Sequence, residues 1–284
     1  VLLALWFVVL LTVLVTEVAY ERQVDATLVG QQRSTMEGYL AARSAVALSM
    51  SVLAADLMIG ETEAQQGAQS GTGGMYDGLD EPWAASDAVV EFNETMVAIH
   101  IIDEYGKINL NALLYEDASG QDREFTPLVD ALRYVFDVRS PDWSPVDAIL
   151  DWLDRDDIAR PNGFERDYYE SLETPIAIKN GPMDSIEELL LIPGVVESLY
   201  FGDADEDEMR DIAPEDIPDS VPLAELLTVH GHPEGRVNVN TAPREVLEAL
   251  FAADPRQGGT GMAEQTLQRI EEVGPCMSRV ELRK

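Results

Sequence analysis

The sequence predicts an α+β fold that consists of a long N-terminal helix, a small antiparallel sheet and a large helical domain inserted into it. Residues 1–16 are apolar and continue without proline to residue 59 in a helix-compatible segment. Two short β-like runs follow, and segments of helical periodicity fill most of the remainder. Hydrophobic residues make up 46% of the 284-residue chain, which is enough for a packed core.

The N-terminal segment predicts a membrane anchor. It reads VLLALWFVVLLTVLVT, and its first charge is Glu17. A membrane span needs about 20 apolar residues, so we expect a short piece to precede this run in the precursor. A secretory signal would end at a small-residue cleavage site, and a core helix that is apolar on every face would be unusual at a chain end. The large side chains expected to lie in the membrane are Leu2, Leu3, Leu5, Trp6, Phe7, Leu10, Leu11 and Leu14.

The segments after the anchor predict a stem and a hairpin. Residues 1–59 are expected to form the anchor and an amphipathic stem helix, and the Gly- and Gln-rich segment 60–87 a loop. Alternation predicts strands at Ala88–Phe92 and Met96–Asp103, within a sheet segment 88–105. Asn93 and Glu94 suit a tight turn between the two strands.

The second half is predicted to be helical. An inserted helical domain at 106–235 is followed at 236–284 by a second helical and return segment that ends the sheet. Asp184 and Thr241 are expected to cap helices, and 223–229 is a short helix or strand. The predicted helices cover residues 125–137, 144–154, 164–171, 184–191, 196–201, 243–251 and 262–273.

Charge and motifs exclude several functions. The 53 acidic and 19 basic residues give a net charge of −34, which opposes binding to nucleic acid because that binding depends on Lys and Arg at phosphates. The single Cys276 excludes an internal disulfide. His230 and His232 have no evident third zinc ligand. The sequence also lacks the G-x-S-x-G motif of a serine nucleophile, a P-loop and an HExxH motif. We therefore predict no catalytic residues and a protein that is not an enzyme.

Four segments in order resemble those of a known family. They are the N-terminal LLTVLVTEVAYERQ, DEYGKINLNAL at Asp103–Leu113, ILDWLDRD at Ile149–Asp156 and VNVNTAP at Val237–Pro243. The chain resembles the type II secretion minor pseudopilin, general secretion pathway protein K. The resemblance implies a pseudopilin fold with an inserted helical domain that contains helix-hairpin-helix-like units.

The resemblance also implies a function. Protein K lies at the tip of a pseudopilus, where it starts assembly together with other minor pseudopilins for protein export across the outer membrane. It is a single-pass protein of the cell inner membrane with its bulk in the periplasm, and secreted proteins are further expected contacts. Pilin-like shaft subunits carry a glutamate at the fifth mature position, where this chain has Leu5. A tip subunit has no neighbour above it for that charge to pair with.

The asparagines of two motifs are expected to be structural. Amide side chains spaced two apart face one side and can bond backbone groups at the junction to the helical domain. The expected structural residues are Asp103, Gly106, Asn109, Asn111, Asn238 and Asn240.

Carboxylates around a Pro-Asn-Gly turn predict a candidate calcium site. Calcium binds six to eight oxygens, and Asp154, Asp156 and Glu165 are expected to converge there. Calcium in the helical domain is also implied by the resemblance, although Arg166 stands where the family tends to have an acid. The acidic run at Asp203, Asp205 and Asp207 is a weaker candidate because it lacks the glycine and final glutamate of an EF-hand loop.

Two alternatives remain open from the sequence. One is a membrane-anchored helix-hairpin-helix receptor for nucleic acid, built on the junction EELLLIPG at residues 187–194. The other is an anchored calcium-binding module that has no connection with secretion.

Overall fold

The structure is a computed structural model that describes residues 2–66, 76–84, 88–93, 95–139, 144–202, 221–253 and 261–276. The chain divides into two compact units. The first comprises residues 1–74 and 80–101, and the second comprises residues 75–79 and 102–284. The predicted α+β class is confirmed.

Helix α1 (Leu2–Gln66) forms most of the first unit. It continues past residue 59, so the predicted loop 60–87 begins later than expected. Gly60 signalled a loop, but the following ETEAQQ contains good helix formers, and one glycine weakens a helix by only about 1 kcal/mol. Within the described residues α1 is the one helix whose length and composition suit a membrane span, and only 11% of its most apolar window is buried. The eight anchor side chains named above are between 55% and 87% exposed.

A hairpin lies against the stem part of α1. Strands β1 (Ala88–Phe92) and β2 (Thr95–Ile99) pair antiparallel, with Ala88 opposite Ile99. The predicted turn is present, and Asn93 has a φ of +46°, which asparagine tolerates better than most residues. Helix α1 packs on β2 and on the 3₁₀ turn Pro82–Ala84, and its buried residues are the small Ala41 and Ala45.

The second unit is mainly helical and has its own core. Helix α2 (Thr126–Arg139) packs chiefly on α7 (Arg244–Ala253), and its apolar face is completely buried. The remaining helices are α3 (Val146–Leu153), α4 (Arg166–Glu170), α5 (Glu197–Phe201), α6 (Leu223–Leu226) and α8 (Gly261–Val273), with a 3₁₀ segment at Ile186–Leu191. The predicted helices are confirmed in type and order, except that the segment at 186–191 is 3₁₀.

Short strands in this unit were only partly predicted. Strand β3 (Ile108–Asn109) pairs parallel with β6 (Leu227–Thr228), which directly follows α6, so the segment 223–229 contains both a helix and a strand. Strands β4 (Leu114–Glu116) and β5 (Asp122–Glu124) form an antiparallel hairpin that the sequence analysis missed.

The return segment is described only in part. The described part of 236–284, which ends at residue 276, contains α7 and α8 but no strand, so it does not close the sheet there. The alternating RVNVN at 236–240 has its asparagine side chains, instead of a ladder, bonded to the backbone. A closing strand predicted near the C-terminus falls outside the described residues.

The segment that follows β2 meets the segment that precedes α7. Oδ2 of Asp103 accepts hydrogen bonds from Thr241 Oγ1 (2.6 Å) and Asn238 Nδ2 (2.9 Å), and the Asn238 N–H donates to the Tyr105 carbonyl (2.7 Å). A Cβ on Gly106 would lie 2.9 Å from the Thr241 carbonyl oxygen, so a glycine is needed for this approach. The Thr241 hydroxyl therefore bonds Asp103 and does not cap α7 as expected.

Candidate functional site

Two asparagine pairs organise the helical domain in the same way. In each pair the first side chain accepts a hydrogen bond from the backbone N–H of the second residue. Asn109 bonds Asn111 at 3.0 Å, and Asn238 bonds Asn240 at 3.2 Å. Both are turns in which an asparagine side chain stands in for a backbone carbonyl.

The second asparagine of each pair holds a distant part of the backbone. Asn111 donates to the carbonyls of Met183 (2.9 Å) and Val229 (3.1 Å) and accepts from the Met183 N–H (2.8 Å). Asn240 exchanges two hydrogen bonds with the backbone of Cys276, at 3.1 and 2.7 Å. These asparagines therefore bond backbone groups and point to no ligand.

The candidate cation site begins on α3, which is buried along almost its whole length. Asp151 is completely buried in it, and Asp154 follows at the end of the helix, three residues on and close in space. The chain then turns at Arg160–Gly163, where the Gly163 N–H donates to the Arg160 carbonyl (3.0 Å). A Cβ on Gly163 would lie 1.8 Å from Oδ2 of Asp151, so only glycine lets the turn approach that carboxylate.

Three buried carboxylates converge at this point. Asp151, Asp154 and Glu165 are 0%, 3% and 7% exposed, and each offers an oxygen within 4.8 Å of the others. We call them the three-acid cluster. Of the described residues, these alone form a group with metal-ligand geometry.

The cluster differs from the predicted ligand set by one residue. Asp156 is exposed, and its Oδ1 accepts a hydrogen bond from the Ile158 N–H (2.8 Å) instead of joining the cluster. Asp151 takes its place. The signal for Asp151 was available, since an aspartate in the middle of the apolar helix VDAILDWL must be buried with partners.

Arg160 is the cation of the cluster. Its Nη1 donates to Asp151 Oδ1 (2.7 Å) and Asp154 Oδ2 (2.5 Å), and its backbone N–H donates to Asp151 Oδ2 (3.1 Å). Burial opposes the charge on Arg160, yet the hydrogen bonds to Asp154 and Asp151 raise its pKa above the ordinary value. Burial raises the pKa of Asp151 and Asp154, and Arg160 lowers it again in part.

The remaining oxygens of the cluster have no partner among the described residues. They are Oδ1 of Asp154 and both carboxylate oxygens of Glu165, and the hydroxyl of the neighbouring Tyr169 is also unpaired. Burial, followed by the charges of Asp151 and Asp154, raises the pKa of Glu165 to about 7. A buried carboxylate normally has hydrogen-bond partners or a counter-ion.

The donor set fits a hard cation. Calcium prefers carboxylate oxygens and accepts flexible geometries, and three carboxylates with unpaired oxygens meet that requirement. Arg166 does not disturb the cluster, because its guanidinium bonds Asp157 at the surface. His232 accepts from the Glu234 N–H through Nδ1, away from the cluster, and Asp203, Asp205 and Asp207 lie outside the described residues.

The helix-hairpin-helix-like junction is also in place. The 3₁₀ segment Ile186–Leu191 leads through Gly194, whose φ is +88°, into α5. Ile192 and Val195 are buried in the core, and Glu197 at the start of α5 is exposed. The junction thus packs against the domain and presents an acid where a DNA-binding hairpin would present basic residues.

Comparison with known proteins assigns the helical domain. A family described as type II secretion system (T2SS), protein K matches residues 106–201, the segment that contains the first asparagine pair and the three-acid cluster. Residues 106–201, about a third of the chain, are thus similar to protein K of type II secretion systems. The apolar helix α1 has the length and composition of a membrane span.

A solved structure has a fold similar to that of this chain. The crystal structure of the GspK-GspI-GspJ complex from the enterotoxigenic Escherichia coli type 2 secretion system matches with a TM-score of 0.57 and 18% identity. The match covers 89% of this chain and 81% of that chain. None of the curated protein sequences compared with the chain matches it.

Proposed function

We propose that this protein is a minor pseudopilin at the tip of a type II secretion pseudopilus, where it starts pseudopilus assembly with other minor pseudopilins. The observation that carries the proposal is the protein K match over the helical domain, together with a fold shared over 89% of the chain with a protein from the GspK-GspI-GspJ complex. The partners are minor pseudopilins of the same system that correspond to GspI and GspJ, and secreted proteins are further contacts.

Placement in the cell follows from this function. Helix α1 crosses the inner membrane once, and both the hairpin and the helical domain lie in the periplasm. The protein acts by binding and assembly, and no catalytic step is assigned to it.

Co-purification tests the assembly role. The full chain, extracted in detergent after co-expression with the two minor pseudopilins of its own system, should elute with both as one complex. The major pseudopilin, co-expressed in their place, serves as the control and should not elute with it. A chain that elutes alone, or that cross-links along the whole shaft, would contradict the tip role.

We also propose that the three-acid cluster binds calcium. The unpaired oxygens of Glu165 support this, since each would otherwise be buried without a partner. Asp151, Asp154 and Glu165 would hold the ion, which would add to the positive charge that Arg160 supplies. Calcium would then stabilise the helical domain that the tip complex presents.

Calorimetric titration of the full chain in detergent with calcium chloride tests the site. We expect saturable binding that Glu165→Gln removes. Asp156→Asn is the matched control, since this acid lies in the same loop but outside the cluster, and it should bind like the wild type. Loss of binding in Asp156→Asn together with retention in Glu165→Gln would contradict the proposed ligands.

A further inference from the structure

The three-acid cluster already contains a positive charge, and that charge has a consequence for cation binding. We infer that Arg160 is an internal counter-ion that stabilises the helical domain without bound metal and lowers the affinity of the cluster for calcium. The inference rests on the calcium site proposed above and concerns the residue that sets its strength.

Arg160 bonds two acids of the cluster and one acid outside it. One nitrogen, Nη1, bonds carboxylates from two of the three acids, at 2.7 and 2.5 Å. Nε bonds a third acid, Glu124 of strand β5, at 3.3 Å. The guanidinium therefore uses Oδ1 of Asp151 and Oδ2 of Asp154, two oxygens that a cation in the cluster would also attract.

The three carboxylates of the cluster repel one another. Their oxygens lie within 4.8 Å of one another, and burial strengthens the repulsion because little water screens it. Arg160 offsets one of the three charges and so reduces the repulsion. It also places a positive charge beside any cation that enters, and the two like charges oppose each other. The same side chain should therefore stabilise the metal-free domain and weaken metal binding.

Arg160 does not bond every oxygen of the cluster. Oδ1 of Asp154 and both oxygens of Glu165 have no hydrogen-bond partner among the described residues. If Arg160 bonded every carboxylate oxygen, no oxygen would remain free to coordinate a cation. A site without the arginine would bind calcium tightly but would be strained whenever calcium is absent.

Arg155 supplies a matched control. It lies in the same loop as Arg160, and its guanidinium bonds Glu116 of strand β4 at 2.6 Å. Its hydrogen bonds go to Glu116 and Asp122, outside the three-acid cluster, and its side chain is 63% exposed, against 21% for Arg160. Arg155→Gln removes the same charge from the loop without breaking a bond to the cluster.

The experiment compares four full-length proteins in detergent: wild type, Arg160→Gln, Arg160→Lys and Arg155→Gln. Each is titrated with calcium chloride in a calorimeter and melted in a chelator. Arg160→Gln should bind calcium about tenfold more tightly, which corresponds to about 1.4 kcal/mol. It should also melt at a lower temperature than wild type in the chelator. Arg160→Lys keeps the charge and Arg155→Gln leaves the cluster intact, so both should bind nearly as the wild type does.

The possible results distinguish the role of Arg160 from the calcium site on which that role depends. Equal or weaker calcium binding by Arg160→Gln, with binding by the wild type intact, would overturn the role of Arg160 and leave the calcium site standing. Binding by Arg160→Gln alone would support the role of Arg160 but would contradict calcium binding by the wild type. Absence of calcium binding in all four proteins would overturn the calcium site itself, while the assembly role, which co-purification tests, would be unaffected.

Discussion

Asn111 and Met183 exchange two hydrogen bonds, side chain to backbone, at 2.9 and 2.8 Å. Asn240 and Cys276 do the same at 3.1 and 2.7 Å. In both cases the asparagine amide bonds the N–H and C=O of a backbone segment, as a neighbouring strand would. The two motifs INLN and VNVN are therefore one structural device used twice.

Asn111→Ala should destabilise the helical domain. It leaves the Met183 N–H and two carbonyls without their partner, and each buried group that loses its hydrogen bond costs about 1–3 kcal/mol. We expect the free energy of unfolding to fall by about 3 kcal/mol in chemical denaturation, the lower end for three groups, because all three hydrogen bonds are only partly buried. Asn162→Ala is the control, since Asn162 is exposed and its bonds to Asp147 are long, 3.3 and 3.5 Å. An equal loss of stability in both variants would contradict the structural role of Asn111.

Gly163→Ala should disturb the three-acid cluster. The added Cβ would overlap Oδ2 of Asp151 at 1.8 Å, and Asp151 is fully buried, so the turn must move. We expect a lower melting temperature and weaker calcium binding in calorimetry. Gly261→Ala, where the new methyl group meets nothing within 4 Å, should change neither. Unchanged melting and calcium affinity in Gly163→Ala would show that the loop tolerates the shift.

The stability of the metal-free protein should depend on pH through Glu165. Burial and the neighbouring acids raise the pKa of Glu165 from 4.5 to about 7, so the folded state binds its proton more tightly than the unfolded state does. This contribution to stability is fully present below pH 4.5 and is lost as the pH rises through about 7, at about 1.4 kcal/mol for each unit of pKa displacement.

Glu165→Gln keeps a neutral side chain at every pH and should remove that contribution. The measurement is the free energy of unfolding at pH 5 and pH 8 in a chelator. The drop between the two should be smaller in the variant than in the wild type. Glu170→Gln, an exposed acid on α4, is the control and should retain the drop of the wild type. A drop of equal size in Glu165→Gln would rule out a raised pKa.

A charge in the apolar run should weaken membrane anchoring. Leu10→Lys places a cation in the middle of residues 1–16, at a cost of about 2.5–3.5 kcal/mol for a central position. We expect more protein in the soluble fraction after alkaline extraction of membranes. Leu28→Lys changes an exposed leucine of the same helix beyond its first charged residues and should stay membrane-bound. Extraction of both variants to the same degree would contradict the assignment of the span.

The local signals in the sequence predicted most of the helices. Apolar periodicity and turn residues placed α2, α3, α7 and α8 within a few residues of their bounds, because these elements bury one apolar face each. Hairpin β4–β5 was missed, since its strands contain mostly polar residues and pair through a turn built on Asp117. The pattern RVNVN alternates like a strand, but its bonds come from side chains, which periodicity does not distinguish.

The candidate site was predicted in part for a similar reason. Glu165 and Asp154 were named because carboxylates flank a Pro-Asn-Gly turn, and both belong to the three-acid cluster. The choice between Asp156 on the loop and Asp151 on α3 depended on which of the two side chains faces the core. Local spacing does not contain that information. The role of Arg160 depends on the path of the loop back to α3, which only the folded chain shows.

The bond between Asp103 and Thr241 does not mark the boundary of a separable part of the chain. Helix α2 lies between these two residues in sequence, yet it packs chiefly on α7, which follows Thr241. A truncated chain that ends at Thr241 would keep the bond but would expose the apolar face of α2 to solvent. Such a fragment should aggregate instead of folding as a unit.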